Sequence, residues 1–202
     1  MLYCMETQAP EKMESLERYN RLYLEIINRY KDYIEERENL YVAELPKLVT
    51  PENEAVSSFA NSIKETFQGY EYESNFKEAA LKAFDYVNNS ISVVATPIQF
   101  WLMPEETLSL KCGDHFDRAV LLCSMLIALG NPSSKIAIIT KENYRAILVC
   151  CELNDKILYM DIEGRKSGEY ASKDDLLHGY GADTDDETAA YEFNDKMYVD
   201  LA

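Results

Sequence analysis

Five residues near the middle of the chain, Cys112, Gly113, Asp114, His115 and Asp117, are of the types that acyl transfer and proton transfer need. They stand in the stretch KCGDHFDRAV, residues 111–120, shortly after the only tryptophan, Trp101. A glycine turn that opens straight into an apolar helix favours negative charge at its first residues, so a thiol placed there ionises readily. The residue at that place is His115, and the nearest cysteine, Cys112, lies three residues earlier. One reading pairs Cys112 with His115 and lets Asp117 or Asp161 orient the imidazole. The preferred reading makes Cys112 a thiol in the approach loop and Asp114 a helix cap, because nearness in sequence across a glycine fixes no geometry. Cys112-x-x-His115 is also half of a zinc spacing. The other half would have to come from Cys150, Cys151 or Asp161, and the second histidine, His178, sits in a polar segment. No metal and no cofactor is expected.

These side chains need a scaffold, and the hydrophobic pattern outlines one. Leu16, Tyr19, Tyr23, Ile26, Tyr30 and Tyr33 recur in steps of three and four, which predicts one long helix over 11–41. Its stripe is expected to pack on the core of the same domain, with a tyrosine-lined dimer seam as the second reading. Thr50 and Pro51 start a helix that stops near Gly69. Another follows from a Ser74 cap, with Phe76, Ala80, Leu81, Phe84 and Val87 on its apolar face and Asn88-Asn89 as its end. Residues 90–114 hold Pro97 and Pro104 and lack a helical period, so they read as a crossing loop or short strand ordered by Phe100 and Trp101. The next run, 114–130, is apolar nearly all round, with Asp114 as N-cap and Gly130 as its stop. Such a helix is buried on most sides. Strands SKIAIITK, YRAILVCCEL and KILYMDIE follow, the last two joined by an Asn154-Asp155 turn. Residues 164–190 read as loop with a short helix at 172–178, and YEFNDKMYVDLA as a closing hairpin. The acid-rich 183–188 lacks the spacing of a calcium loop and reads as solvated. Helices first and strands later make an α+β fold, a buried central helix packed on an antiparallel sheet.

The composition narrows the partners. The 202 residues carry 36 acidic against 20 basic side chains, a formal charge of −16. Such a surface repels nucleic acid and anionic lipid headgroups. No stretch approaches the roughly 18 apolar residues of a membrane span. Five cysteines, at 4, 112, 123, 150 and 151, show no disulfide framework and read as thiols in a reducing compartment, so a cytoplasmic location is expected.

The stretch FWLMPEETLSLKCGDHFDRAVLLCSMLIALG resembles the nucleophile segment of the transglutaminase-like superfamily, in particular its small microbial and archaeal members. Trp101, Pro104, Glu105, Glu106, Thr107, Leu108, Gly113, Asp114, Asp117, Ala119 and the Leu129-Gly130 end match that pattern. The closing YEFNDKMYVDLA is similar to a tail of archaeal members. The resemblance implies a papain-like fold and a Cys-His-Asp triad: a thiol at the helix start, then a histidine and an aspartate on successive strands. Carried onto this chain, the three positions fall on His115, Arg145 and Asp161. Only the acid matches. An imidazole does not form the thioester-like intermediate, and arginine, with a pKa above about 12, is no base near neutrality.

The expected organisation is a flexible N-terminus over 1–10, a helical portion over 11–90 packed on the core, and the transglutaminase-like core over 91–202. The expected function is that of a degenerate, non-catalytic binding or scaffolding module for a protein or peptide. Arg145 and Asp161 would face the old cleft with His115, as a structural ion pair or as a grip for a carboxylate. Trp101, Gly113, Asp114 and Asp117 would shape that cleft. The alternative is a cysteine-dependent hydrolase or amide-acyl transferase using Cys112 with His115. A homodimer through the 11–41 helix is the one oligomer the sequence suggests.

Overall fold

The apolar run after Asp114 forms the helix around which the rest is arranged. The computed structural model describes residues 8–38, 41–95, 98, 100–141, 144–182 and 188–201. The chain divides into two compact units, Met1–Asn39 with Thr96–Phe100, and Leu40–Ala95 with Trp101–Ala202.

The first unit carries α1 (Gln8–Glu38), which starts within the stretch expected to be flexible; residues 1–7, with Cys4, lie outside the described residues. Its stripe has Leu16, Tyr19, Tyr23, Ile26, Tyr30 and Tyr33 between 45% and 57% exposed.

In the second unit a 3-10 turn (Val42–Leu48) leads to α2 (Glu54–Lys64) and α3 (Tyr72–Ser90). α2 starts later than Thr50-Pro51 suggests, because Asn53 Oδ1 accepts the Ala55 amide at 2.9 Å while the Thr50 amide is taken by Ser124 Oγ. α3 starts at Tyr72 rather than at a Ser74 cap; Asn75 Oδ1 accepts the Glu71 amide instead. The crossing segment holds β1 (Ser92–Val93), α4 (Pro104–Leu110) and β2 (Cys112–Gly113), with 96–97 and 99, Pro97 among them, outside the described residues. α4 corrects the loop expectation: Pro104 opens it, Glu105 and Glu106 fill its first turn, and Glu106 reaches back to the Met103 amide at 2.8 Å. Lys111, at φ 53°, ends it in a left-handed conformation.

α5 (His115–Ala128) is buried without interruption from Phe116 to Leu126. On one side lie α2 and α3 through Val56, Ala60, Phe76, Ala80, Phe84 and Val87; on the other lies the sheet through Ile136, Ile138, Ile147, Val149 and Phe193. A helix end inside protein needs partners for its last carbonyls. Lys64 Nζ donates to the Ala128 carbonyl at 2.8 Å and Tyr70 OH to that of Leu129 at 2.9 Å. Gly130, at φ 116°, then turns the chain away.

The sheet runs in the order β6-β5-β4-β3-β7-β8, antiparallel throughout: β3 (Lys135–Lys141), β4 (Tyr144–Leu153), β5 (Lys156–Asp161), β6 (Lys166–Tyr170), β7 (Ala189–Phe193) and β8 (Tyr198–Asp200). The Asn154-Asp155 turn takes φ 50° and 59°, as a tight two-residue hairpin requires. β6 corrects the reading of 164–190 as loop; this polar edge strand has no apolar alternation to betray it. α6 (Lys173–Gly179) covers the outer face, where Ala137, Ile139, Ala146, Leu148, Leu176, Tyr180 and Ala190 form a second, smaller core. Residues 183–187 lie outside the described residues. Among the described residues no helix is long and apolar enough to cross a membrane.

The continuous burial of α5 sets its mutational cost. Leu122→Ala is expected to lower stability by about 2–5 kcal/mol in urea unfolding, through lost transfer energy and a residual cavity. Leu110→Ala, at a side chain 60% exposed, is expected to stay within about 0.5 kcal/mol.

Candidate functional site

The N-terminus of α5 is built by three residues acting together. Asp114 Oδ1 accepts the Asp117 amide at 2.8 Å, and Asp117 Oδ2 accepts the Asp114 amide at 2.9 Å. This reciprocal pair satisfies two amides that the helix leaves open. The second oxygen of Asp117, Oδ1, accepts the Leu102 amide at 2.9 Å and so anchors the segment that carries Trp101. Gly113 is required at the same spot, since a Cβ there would stand 2.9 Å from Asp117 Cβ. Trp101 packs on Phe116 with ring centroids 5.2 Å apart, and Phe116 stacks on Phe193 at 6.0 Å. Asp117 is 1% exposed. Burial pushes its carboxyl up to about 6, against the pull of the amides it accepts.

His115 is the first residue of α5 and half-buried; its Nδ1 is buried and has no hydrogen-bond partner among the described residues. Cys112 lies on β2, held by the parallel pairing of Ser92 with Cys112 and Val93 with Gly113. Among the described residues no hydrogen bond joins Cys112 to His115.

Arg145 and Asp161 do not meet. Ile147, Val149 and Cys151 of β4 face α5, so Arg145, in step with them, belongs to that face; it is exposed, opposite Thr140. Its charge reaches Tyr191, whose phenol burial pushes up and Arg145 pulls back. Asp161 pairs in register with Leu148, a residue of the outer core, and points to the α6 face. There it accepts Tyr180 OH at 3.0 Å and the Gly164 amide at 2.7 Å, with Lys166 Nζ at 3.7 Å. Tyr180 ionises with difficulty, first because it is buried and then because Asp161 is beside it. The Arg145–Asp161 ion pair is not formed, since Arg145 lies three positions, an odd step, from Leu148, the partner of Asp161, and alternation sends the two side chains to opposite faces.

The other described thiols, Cys123, Cys150 and Cys151, lie in or against the two cores. Burial raises the pKa of Cys123, Cys150 and Cys151, the last to about 12, and the neighbours Cys150 and Cys151 face opposite sides of the sheet. His178 is exposed on α6. Among the described residues no group of three or more His, Cys, Asp or Glu side chains could hold a metal ion.

Sequence reasoning missed two charged groups. Arg118, inside the apolar run, is fully buried; its Nη2 donates to the Val87 carbonyl at 3.0 Å and to Asn88 Oδ1 at 2.9 Å, while Nε and Nη1 have no partner among the described residues. Burial, and the charge of Arg165, pull its pKa down. Its place on the fourth residue of a buried helix was the available signal. Glu192, 6% exposed, is bridged by Lys135 Nζ at 3.1 Å and Lys173 Nζ at 2.9 Å on the α6 face. Lysines so far apart in sequence gave no signal.

Among solved structures the chain is similar to Legionella pneumophila LapG, at 15% identity over 74% of this chain and 87% of that one, with a TM-score of 0.50. The EGTA-treated form of LapG aligns over 76% and 87% at the same 15% identity, with a TM-score of 0.52. No protein-family model matches the sequence, and no curated protein does. The α+β unit, a buried helix on an antiparallel sheet, has the papain-like, transglutaminase-like core expected from residues 98–130.

Asp117 gives this site a pH signature. Asp117→Asn places a donating NH2 against one of the two amides, so a loss of about 1–3 kcal/mol is expected in urea unfolding at neutral pH. A folded pKa of about 6, above the unfolded value, means the folded wild type gains protons first as pH falls. The stability gap between wild type and Asp117→Asn should therefore widen from pH 7 down to pH 4.

Proposed function

We propose that this chain is a non-catalytic member of the transglutaminase-like group, whose cleft above the start of α5 binds a protein or peptide. The observation that carries the reading is the state of the three expected triad positions. His115 stands where the thiol belongs and its Nδ1 has no partner; Arg145 stands where the base belongs; Asp161 is engaged by Tyr180 on the far face of the sheet. A nucleophile needs a base within hydrogen-bond reach, and that base needs an orienting group. Neither relation exists among these residues.

The same region has features suited to binding. Arg145 is exposed and, among the described residues, has no ion pair, so it can receive a carboxylate. Val93 and Val94, around the β1–β2 pair, are 43% and 42% exposed. A reducing, cytoplasmic setting belongs to this reading, supported by four described cysteines that are all free.

The test is alkylation of the native protein with iodoacetamide across pH, with each cysteine followed by peptide mass spectrometry. Cys112 is expected to react as an ordinary thiol, at a rate that His115→Ala leaves unchanged. Rapid alkylation of Cys112 below pH 7 that disappears in His115→Ala would establish a cysteine–histidine pair and overturn the proposal.

A further inference from the structure

We infer that α1 is a dimerisation element whose apolar face receives the same face of a second copy of this chain. The inference rests on the helix alone and stands apart from the reading of the cleft. An isolated helix is marginal in water, and most helical stability in proteins comes from packing an apolar face. α1 runs for 31 residues, and Leu16, Tyr19, Leu22, Tyr23, Ile26 and Tyr30 on it are each about half exposed. Leu16, Tyr19, Tyr23, Ile26 and Tyr30 follow a three-four spacing, which places them on one seam. Tyr19 and Tyr23 already stack on each other with ring centroids 6.4 Å apart, forming a ridge rather than scattered side chains.

Charge selects the occupant. Residues 8–38 hold eight acidic and six basic side chains, a balance of −2, so the rest of the chain carries −14 of the total −16. α1 is thus the nearly neutral part of a strongly acidic protein, where two copies can approach with the least repulsion. Its charges are interleaved, with Arg21 3.9 Å from Glu17 and Lys31 3.7 Å from Glu35. A basic partner would find a better surface elsewhere on the chain, and an anionic membrane would be repelled by the chain as a whole. A second copy needs only what α1 already offers, an apolar seam flanked by both signs of charge.

The area is adequate. Three half-exposed tyrosines leave on the order of 300 Å² per copy to bury. Leu16, Leu22, Ile26 and the flanking stems bring this toward the roughly 800 Å² per partner of a stable interface. A two-fold seam is self-complementary and closes, so the assembly stops at two.

The experiment is light scattering coupled to size-exclusion chromatography on the full chain at micromolar concentrations, with three proteins compared. The wild type should elute at twice the 23.2 kDa chain mass. Tyr23→Lys combined with Ile26→Lys should return the mass to that of one chain, or raise the dissociation constant at least about tenfold. Leu110→Lys, outside α1, should leave the dimer intact. Both altered α1 positions are half exposed, so the urea midpoint of the core unit is expected to hold, which separates lost pairing from lost folding. A monomeric wild type, a larger assembly, or a dimer that survives the double substitution would each overturn the inference.

Discussion

A helix buried on every side has nowhere to send its open amides, and the exchange between Asp114 and Asp117 is how this chain answers that constraint. Each carboxylate accepts the amide of the other residue, at 2.8 and 2.9 Å, and the spare oxygen of Asp117 takes the amide of Leu102. One buried acid thereby fixes the start of α5, the turn before it and the segment bearing Trp101. Gly113 follows from the same contact, since the space of its missing Cβ belongs to Asp117. The cost of burying this carboxylate shows in its raised pKa. Removing the acid would loosen three pieces of backbone at once.

The sheet imposes a second constraint, the alternation of side chains. β4 and β5 are hydrogen-bonded neighbours, yet Arg145 and Asp161 serve different faces of them. The α5 face carries Ile147, Val149 and the exposed Arg145. The α6 face carries Leu148, Tyr180 and Asp161. Asp161 is thus a structural acid, tying the β5–β6 turn through the Gly164 amide and the outer core through Tyr180. His115, at the start of α5, keeps a buried Nδ1 without a hydrogen-bond partner among the described residues, and Arg145 is open to solvent.

Buried charge elsewhere is handled unevenly. Glu192 has a lysine on either side, whereas Arg118 has only a carbonyl and an asparagine oxygen for one of its three nitrogens. A guanidinium so enclosed is expensive to desolvate. It sits in the first turn of α5, buried without interruption from Phe116 to Leu126.

Local patterns in the chain determined a good deal. The apolar run from Phe116, the Asp114 cap, the Gly130 stop, the Asn154-Asp155 hairpin and the short helix before Tyr180 were all legible, because each depends on residues within a few positions of one another. The fold class drawn from residues 98–130 was legible for the same reason. α4 was misread although Pro104, Glu105 and Glu106 announced it, and β6 could not be read, since a polar edge strand is defined by its neighbour rather than by its own pattern. The tertiary structure alone decided where Asp161 points, that Glu192 meets Lys135 and Lys173, that Arg118 is sealed in, and that the tyrosines of α1 stay half exposed. Those outcomes depend on strand register and layer order, which set the distance between residues far apart in the chain and leave no mark on the sequence around any one of them.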